Sequence, residues 1–131
     1  MTKDTGVAIH SDALLGKRVL LAIAGGIAAV ESVRLARELR RHQADLSVIM
    51  SEEATKIVTP LAVSWGSDTI VHQGWSSEMS QLEAFDVILI APATRNTISK
   101  HLHGIMDSPL LMALSASRGR KSKLCFVPSM H

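Results

Sequence analysis

The sequence predicts an α/β protein: a three-layer, Rossmann-like (flavodoxin-like) parallel sheet with helices on both faces. Short apolar runs at 19–24, 46–50, 87–91 and 124–127 read as buried strands. Longer segments with helical character lie between them, and strand–helix alternation closes into a parallel sheet covered on both sides. The third observation is the set of small and polar residues at the ends of the runs. Gly25 and Gly26 come after the first, Ser51 after the second, and Thr94, Asn96 and Thr97 after the third. In such folds ligands bind outside the carboxyl ends of the strands.

Residues 1–16 form a polar lead-in with a turn of helix around 11–15, and the domain proper covers 17–131. After the first strand, Gly25-Gly26 breaks the pattern and a helix is expected over 27–42. Leu35 and Leu39, flanked by Val33 and Ala36, give it one apolar face, with its arginines mostly on the other. Ser51 is a suitable N-cap for a helix near 52–58, with Glu52 and Glu53 in its first turn. Pro60 is expected to end that element, and 61–65 to make another helical turn. Residues 69–71 read as an edge strand. Two more helices are expected over 96–103, ended by Gly104, and over 108–117, with Pro109 in its first turn.

The 131 residues suffice for one domain and one core. Apolar residues are 47%, charged residues 20% and the formal charge +2, values of an ordinary globular protein. Arginines and lysines gather at 34–41 and 118–123 without aromatic interleaving, so they read as solvated faces and no nucleic-acid partner is expected. No apolar run reaches membrane-spanning length. The single cysteine, Cys125, sits in an apolar run and reads as a buried, inert thiol, compatible with a reducing cytoplasm. The six histidines show no metal-ligand spacing; His101 and His103, two apart on a helix, point in different directions.

Each rim residue also has a plainer reading. Gly25-Gly26 before a helix leaves free N–H groups and a partial positive charge that suit a phosphate, yet the pair could equally be a tight turn. The dinucleotide fingerprint G-x-G-x-x-G is absent, which disfavours an adenine dinucleotide. Ser51 could be only a cap. Thr94 or Asn96 could cap the helix after the third strand, which accounts for one of the three polar residues there but not all. Pro128-Ser129-Met130-His131 brings a polarizable side chain and an imidazole to the rim, or simply frays.

Four pieces together resemble one family: 21–29 (LAIAGGIAA), 49–54 (IMSEEA) with Thr59-Pro60, 90–100 (IAPATRNTISK) with 104–107 (GIMD), and 127–131 (VPSMH). Their order and spacing are similar to those of the flavin-containing cysteine decarboxylase family, and closest to its phosphopantothenoylcysteine decarboxylases of coenzyme A biosynthesis. The resemblance implies a Rossmann-like protein that binds FMN and forms homotrimers or assemblies of trimers. It implies that Gly25, Gly26 and Ile27 meet the phosphate and ribityl region and that Ser51 meets the phosphate. Ala93, Thr94, Asn96 and Thr97 would line the flavin and ribityl chain, with Ser129 and Met130 near flavin and substrate.

The departures bear on activity. Family decarboxylases carry a His about eight residues before the Asp that opens the third strand. Counting back from Asp86 gives Glu78, and no His lies between Gln73 and Asp86. His72 is the nearest, and His131 replaces the family's Asn; these two are the catalytic candidates. The family's later segment, which closes over substrate, does not occur in these 131 residues, so a fragment or trimmed domain is expected. The resemblance therefore supports an FMN-dependent enzyme acting on a small-molecule substrate or electron acceptor. The alternatives are an FMN-dependent oxidoreductase, such as a pterin-type reductase, and a non-catalytic flavin-binding subunit.

Overall fold

Five parallel strands form the centre of the computed structural model, which describes residues 6–75, 84–118 and 120–129. They are β1 (Arg18–Ile23), β2 (Asp45–Met50), β3 (Val71–His72), β4 (Val87–Ala93) and β5 (Lys123–Pro128), in the order β3-β2-β1-β4-β5. The chain builds outward from β1 to β2 and β3, then returns to lay β4 against the other side of β1. The turnaround between β1 and β4 is the topological switch point, where neighbouring crossovers leave a crevice at the carboxyl edge. Val19 to Ala22 pair with Val87 to Ile90 there.

The helices are α1 (Ser32–Arg41), α2 (Pro60–Ser67), α3 (Arg95–Leu102) and α4 (Pro109–Arg118). One core lies between the sheet and α1 with α2, around Leu21, Ile23, Val48, Met50 and Val63. The other lies between the sheet and α3 with α4, around Ala22, Ile88, Ile90, Leu110 and Leu114. Strands covered on both faces need continuous apolar runs, and β1 and the end of β2 supply them. The three-layer parallel fold expected from the sequence is the fold observed.

Local differences have physical reasons. The helix expected over 27–42 is a 3-10 turn, Ile27–Glu31, followed by α1. The helix expected near 52–58 is a single 3-10 turn, Ala54–Lys56. Pro60 starts an element rather than ending one: it is the first residue of α2, where its missing N–H has no partner to lose. Thr59 caps that helix by accepting the Ala62 amide at 3.1 Å. β4 runs on through Pro92 to Ala93, with a cis Ala91–Pro92 peptide. Cys125 is exposed, not buried. β5 is the edge of the sheet; Leu124 and Phe126 pack against the α4 core while Cys125 faces the open side. The lead-in turn appears as expected, with the Leu15 amide donating to Asp12 O at 3.0 Å.

Candidate functional site

A cavity of about 400 Å³ opens at the switch point, lined by the loops after β1, β2 and β4 and by the start of α4. Gly25, Ser51, Thr94, Asn96 and Thr97, singled out in the sequence on three separate segments, all line it. Parallel strands of similar length end at one edge, so residues far apart in sequence arrive together.

Each is set by local structure. Gly25 continues β1 into the 3-10 turn and runs directly against Glu53; a Cβ on it would overlap Glu53 Cβ. The close passage of these two segments of the chain therefore requires glycine here with or without a ligand. Gly26 adjoins the cavity: a Cβ there would sit 3.6 Å from Thr94 Cγ2. The Ser51 amide donates to Ile23 O at 3.0 Å, tying the end of β2 to the end of β1. Its hydroxyl accepts the Ala54 amide at 3.1 Å and so caps the turn over 52–54, whereas the N-cap of the 3-10 turn itself is Glu53 rather than Ser51. A hydroxyl has one proton and two acceptor positions, so Ser51 keeps its proton for a further acceptor.

Thr94 is the N-cap of α3. Its Oγ1 accepts the Thr97 amide at 3.2 Å and donates to Thr97 Oγ1 at 2.9 Å. Thr97 is buried, and its own hydroxyl proton remains for another acceptor. Asn96 is exposed on the lining. The first amides of α3 add donors and the positive end of a helix dipole.

Sequence reasoning did not single out Lys100 and Asp107 as site residues. Both line the cavity, and Lys100 Nζ bonds Asp107 Oδ2 at 2.8 Å. The signal was present in the 90–100 and 104–107 pieces, but Asp107 lies beyond the end of α3, so helical spacing does not relate it to Lys100. Gly104, with φ of 72°, turns the chain so that the two meet. Leu110 and Leu111, both buried, supply the apolar wall.

Other candidates fall elsewhere. Ile27 is 72% exposed and outside the lining. Ala93 is fully buried in β4. Ser129, whose amide donates to Ala93 O at 3.0 Å, lines a second cavity on the α1 side of Pro92. His72 pairs in register with Ile49 at the β3 edge and does not line the cavity. Met130, His131 and Glu78 lie outside the described residues. His101 is buried and His103 exposed, as their spacing implied. Among the described residues no group of three or more metal-ligating side chains could hold a metal ion, and no helix is long and apolar enough to cross a membrane.

The strand order and the donor-lined cavity define a doubly wound α/β protein with a small-molecule crevice at its switch point. Residues 7–131 match the model of the family described as Flavoprotein, and the chain belongs to that family. The coenzyme A biosynthesis bifunctional protein CoaBC of Thermococcus kodakarensis is 39% identical over 131 residues, covering 95% of this chain and 32% of that protein. CoaBC of Methanocaldococcus jannaschii is 35% identical over 124 residues, covering 92% and 30%. The chain thus spans about a third of the length of these curated relatives. Among solved structures, the FMN-dependent cysteine decarboxylase SpaF superposes with a TM-score of 0.78 at 25% identity, covering 91% of this chain and 71% of that one.

Proposed function

We propose that this chain binds FMN in the cavity around Gly25, Ser51 and Thr94 and works as an enzyme of the cysteine-decarboxylase type. The observation that carries the reading is the convergence of Gly25, Ser51, Thr94, Asn96 and Thr97 on one cavity in a Flavoprotein-family chain. The cavity volume lies in the range of roughly 300–1,000 Å³ typical of small-molecule sites. Its donors fit a phosphate ester with a polyol chain. Ser51 and the Gly25–Gly26 backbone would hold the phosphate. Thr94, Asn96 and Thr97 would hold the ribityl and ring acceptors, with Leu110 and Leu111 against apolar surface. Lys100 supplies a cation, tempered by Asp107. Bound FMN supplies a two-electron acceptor.

The purified chain is expected to be yellow or to bind added FMN with quenching of flavin fluorescence. A colourless chain that leaves FMN fluorescence unchanged would overturn the cofactor reading.

One observation favours a second reading, that of an FMN-dependent oxidoreductase. Glu78 stands where the family spacing calls for His. An anaerobic comparison separates the two. Bleaching of the flavin by a cysteine-carboxylate substrate with carbon dioxide release supports the decarboxylase. Bleaching by NAD(P)H alone supports the oxidoreductase, and bleaching by neither supports a flavin-binding subunit without its own turnover. The proposal includes assembly as trimers or multiples of trimers. Ile27 and Val30, 72% and 54% exposed on one short turn, are the kind of apolar surface a partner subunit covers. Light scattering on the purified chain is expected to give the mass of three chains or of a multiple of three chains.

A further inference from the structure

Away from the cavity, a cluster joins a hydroxyl, an imidazole and a carboxylate. Ser11 Oγ lies 2.6 Å from His42 Nδ1, and His42 Nε2 lies 3.2 Å from Glu38 Oε1. Hydrogen bonds from Arg41 and His42 hold the Glu38 carboxyl below the ordinary carboxylate range, so at neutral pH it is ionised and can only accept. The bond to it therefore needs a proton on His42 Nε2. In the neutral imidazole that leaves the Nδ1 lone pair to accept the Ser11 hydroxyl. The chain thus sets one tautomer of His42 and aims its basic nitrogen at a serine. A hydroxyl within hydrogen-bond reach of a base that a third group orients is the arrangement of an activated nucleophile. In serine hydrolases the acid meets Nδ1 and the serine Nε2; here the two nitrogens exchange roles, and either is basic once the other carries the proton.

Backbone bonds already hold the lead-in without this relay. The His10 and Ser11 amides donate to Arg41 O at 2.9 and 3.4 Å, and the Leu14 amide donates to His42 O at 3.0 Å. The Ala13 amide donates to Ser11 Oγ at 3.2 Å, which leaves that oxygen a second lone pair. Ser11 and His42 are half-buried, and 34% of the His42 side chain is exposed, so a solute can reach them. None of the three residues lines the cavity around Thr94. They sit at the opposite edge of the sheet, where the end of α1 leads into the start of β2. A groove of about 320 Å³ lies beside them, with Val7, Ile9, Leu15 and Ala44 as apolar wall and Arg40 and Gln43 on its lining. Gln43 connects groove and serine, since its Nε2 donates to Ser11 O at 3.1 Å.

We propose that Ser11 is a nucleophile toward aryl esters of short-chain carboxylic acids, with His42 as its base and the acyl chain along the Ile9 and Leu15 groove. Glu38 is a positioning residue. Ser11 Oγ forms a bond to the ester carbonyl carbon while its proton passes to His42 Nδ1. The bond from that carbon to the aryl oxygen breaks, and the aryloxide leaves with the electron pair. Water then adds to the acylated serine and gives a proton to His42. The carboxylic acid departs and Ser11 recovers its hydroxyl. An aryloxide leaves without needing a proton, which is why the relay suits aryl esters. The flavin takes no part.

The test uses the full chain without FMN. p-Nitrophenyl butyrate is the ester probe, and phenylmethanesulfonyl fluoride is the irreversible label. The parent is expected to release p-nitrophenolate faster than buffer alone does, and peptide mapping is expected to find the sulfonyl group on Ser11. Ser11→Ala should lose both release and label. His42→Gln should slow both about a hundredfold, the worth of a positioned general base. Glu38→Gln should slow them less and leave the label on Ser11. A merely structural role for the cluster would move melting temperatures but would not direct the label to Ser11, and the label is read on the parent chain, so it does not depend on any variant folding. Release no faster than buffer, a label confined to other residues, or an unchanged rate in a folded His42→Gln overturns the proposal. FMN titration of the same sample is independent of all these outcomes, so failure here is distinguishable from failure of the flavin reading.

Discussion

Gly25 and Glu53 pass so closely that no side chain fits between them. A Cβ on Gly25 would overlap Glu53 Cβ and lie 3.1 Å from the Glu53 carbonyl carbon and 3.3 Å from the Ala54 nitrogen. Two of these three neighbours are backbone, which cannot swing aside. Gly25→Ala therefore pushes the turn after β2 away from the end of β1. Overpacking of this kind costs about 1–3 kcal/mol, and urea denaturation of the variant should show a loss in that range. FMN binding should weaken too, because Ser51 sits on the displaced turn. A variant as stable as the parent would mean that the turn relaxes freely.

Lys100 and Asp107 test the electrostatics of the cavity separately from its stability. Their side chains are 31% and 54% exposed, so the ion pair is solvent-screened and worth no more than about 1 kcal/mol to folding. Lys100→Met should leave the urea midpoint nearly unchanged. It should weaken FMN several-fold, and the deficit should shrink as salt rises, since screening removes the same attraction. Asp107→Asn should do the opposite at low salt by releasing the lysine. If Lys100→Met binds FMN as the parent does, the lysine takes no part in holding it.

Thr94 carries two bonds at the start of α3, one to the Thr97 amide and one to the Thr97 hydroxyl. Thr94→Ala removes the cap and leaves Thr97, which is buried, without its donor. Loss of a cap costs about 0.5–2 kcal/mol, and the stranded hydroxyl places this variant toward the upper end. Thr94→Ser keeps both bonds and should restore most of the stability. Chemical denaturation of the two variants side by side checks this.

Glu38 provides a pH signature remote from the cavity. Its carboxyl is held below the ordinary carboxylate range by hydrogen bonds from Arg41 and His42, the arginine first. A depressed pKa in the folded state means that the contribution is present above the unfolded pKa. It is lost as pH falls through the folded one. The melting-temperature gap between the parent and Glu38→Gln should therefore be present at neutral pH and close under acid. The gap should be small, because the group is fully exposed to solvent. A gap that widens on acidification would reverse the assigned direction.

The strands and the cavity rim were legible in the sequence because both rest on local rules. Apolar runs such as 19–24 mark buried strands, and parallel strands share one ligand-binding edge, so Gly25, Ser51 and Thr94 could be grouped without coordinates. Features set by position in the sheet were not legible. Cys125 sits in an apolar run like any core strand, yet β5 is an edge and its outer side is open. The Lys100–Asp107 pair depends on the turn at Gly104, and a pairing across a turn leaves no periodic trace. The plainer readings of Gly25, Ser51 and Thr94 also proved true as far as they go. Each has a structural task of its own, so none proves a ligand by its presence alone.

Ser51 can separate these two tasks. Its hydroxyl accepts the Ala54 amide, and its remaining proton is free to meet a phosphate. Ser51→Ala removes both functions, with a folding cost of about 1 kcal/mol from the lost cap. Stability alone cannot tell whether a ligand used the proton. Riboflavin, which is FMN without the phosphate, can. If Ser51 holds the phosphate, the variant should lose affinity for FMN by about tenfold while its affinity for riboflavin stays level, so the advantage of FMN over riboflavin contracts. Ser51→Thr keeps the hydroxyl and should retain the advantage. Equal loss of both ligands in Ser51→Ala would assign the residue to the cap alone and move the phosphate elsewhere on the rim. Fluorescence titration of the two flavins against the three proteins reads all of these outcomes in one experiment.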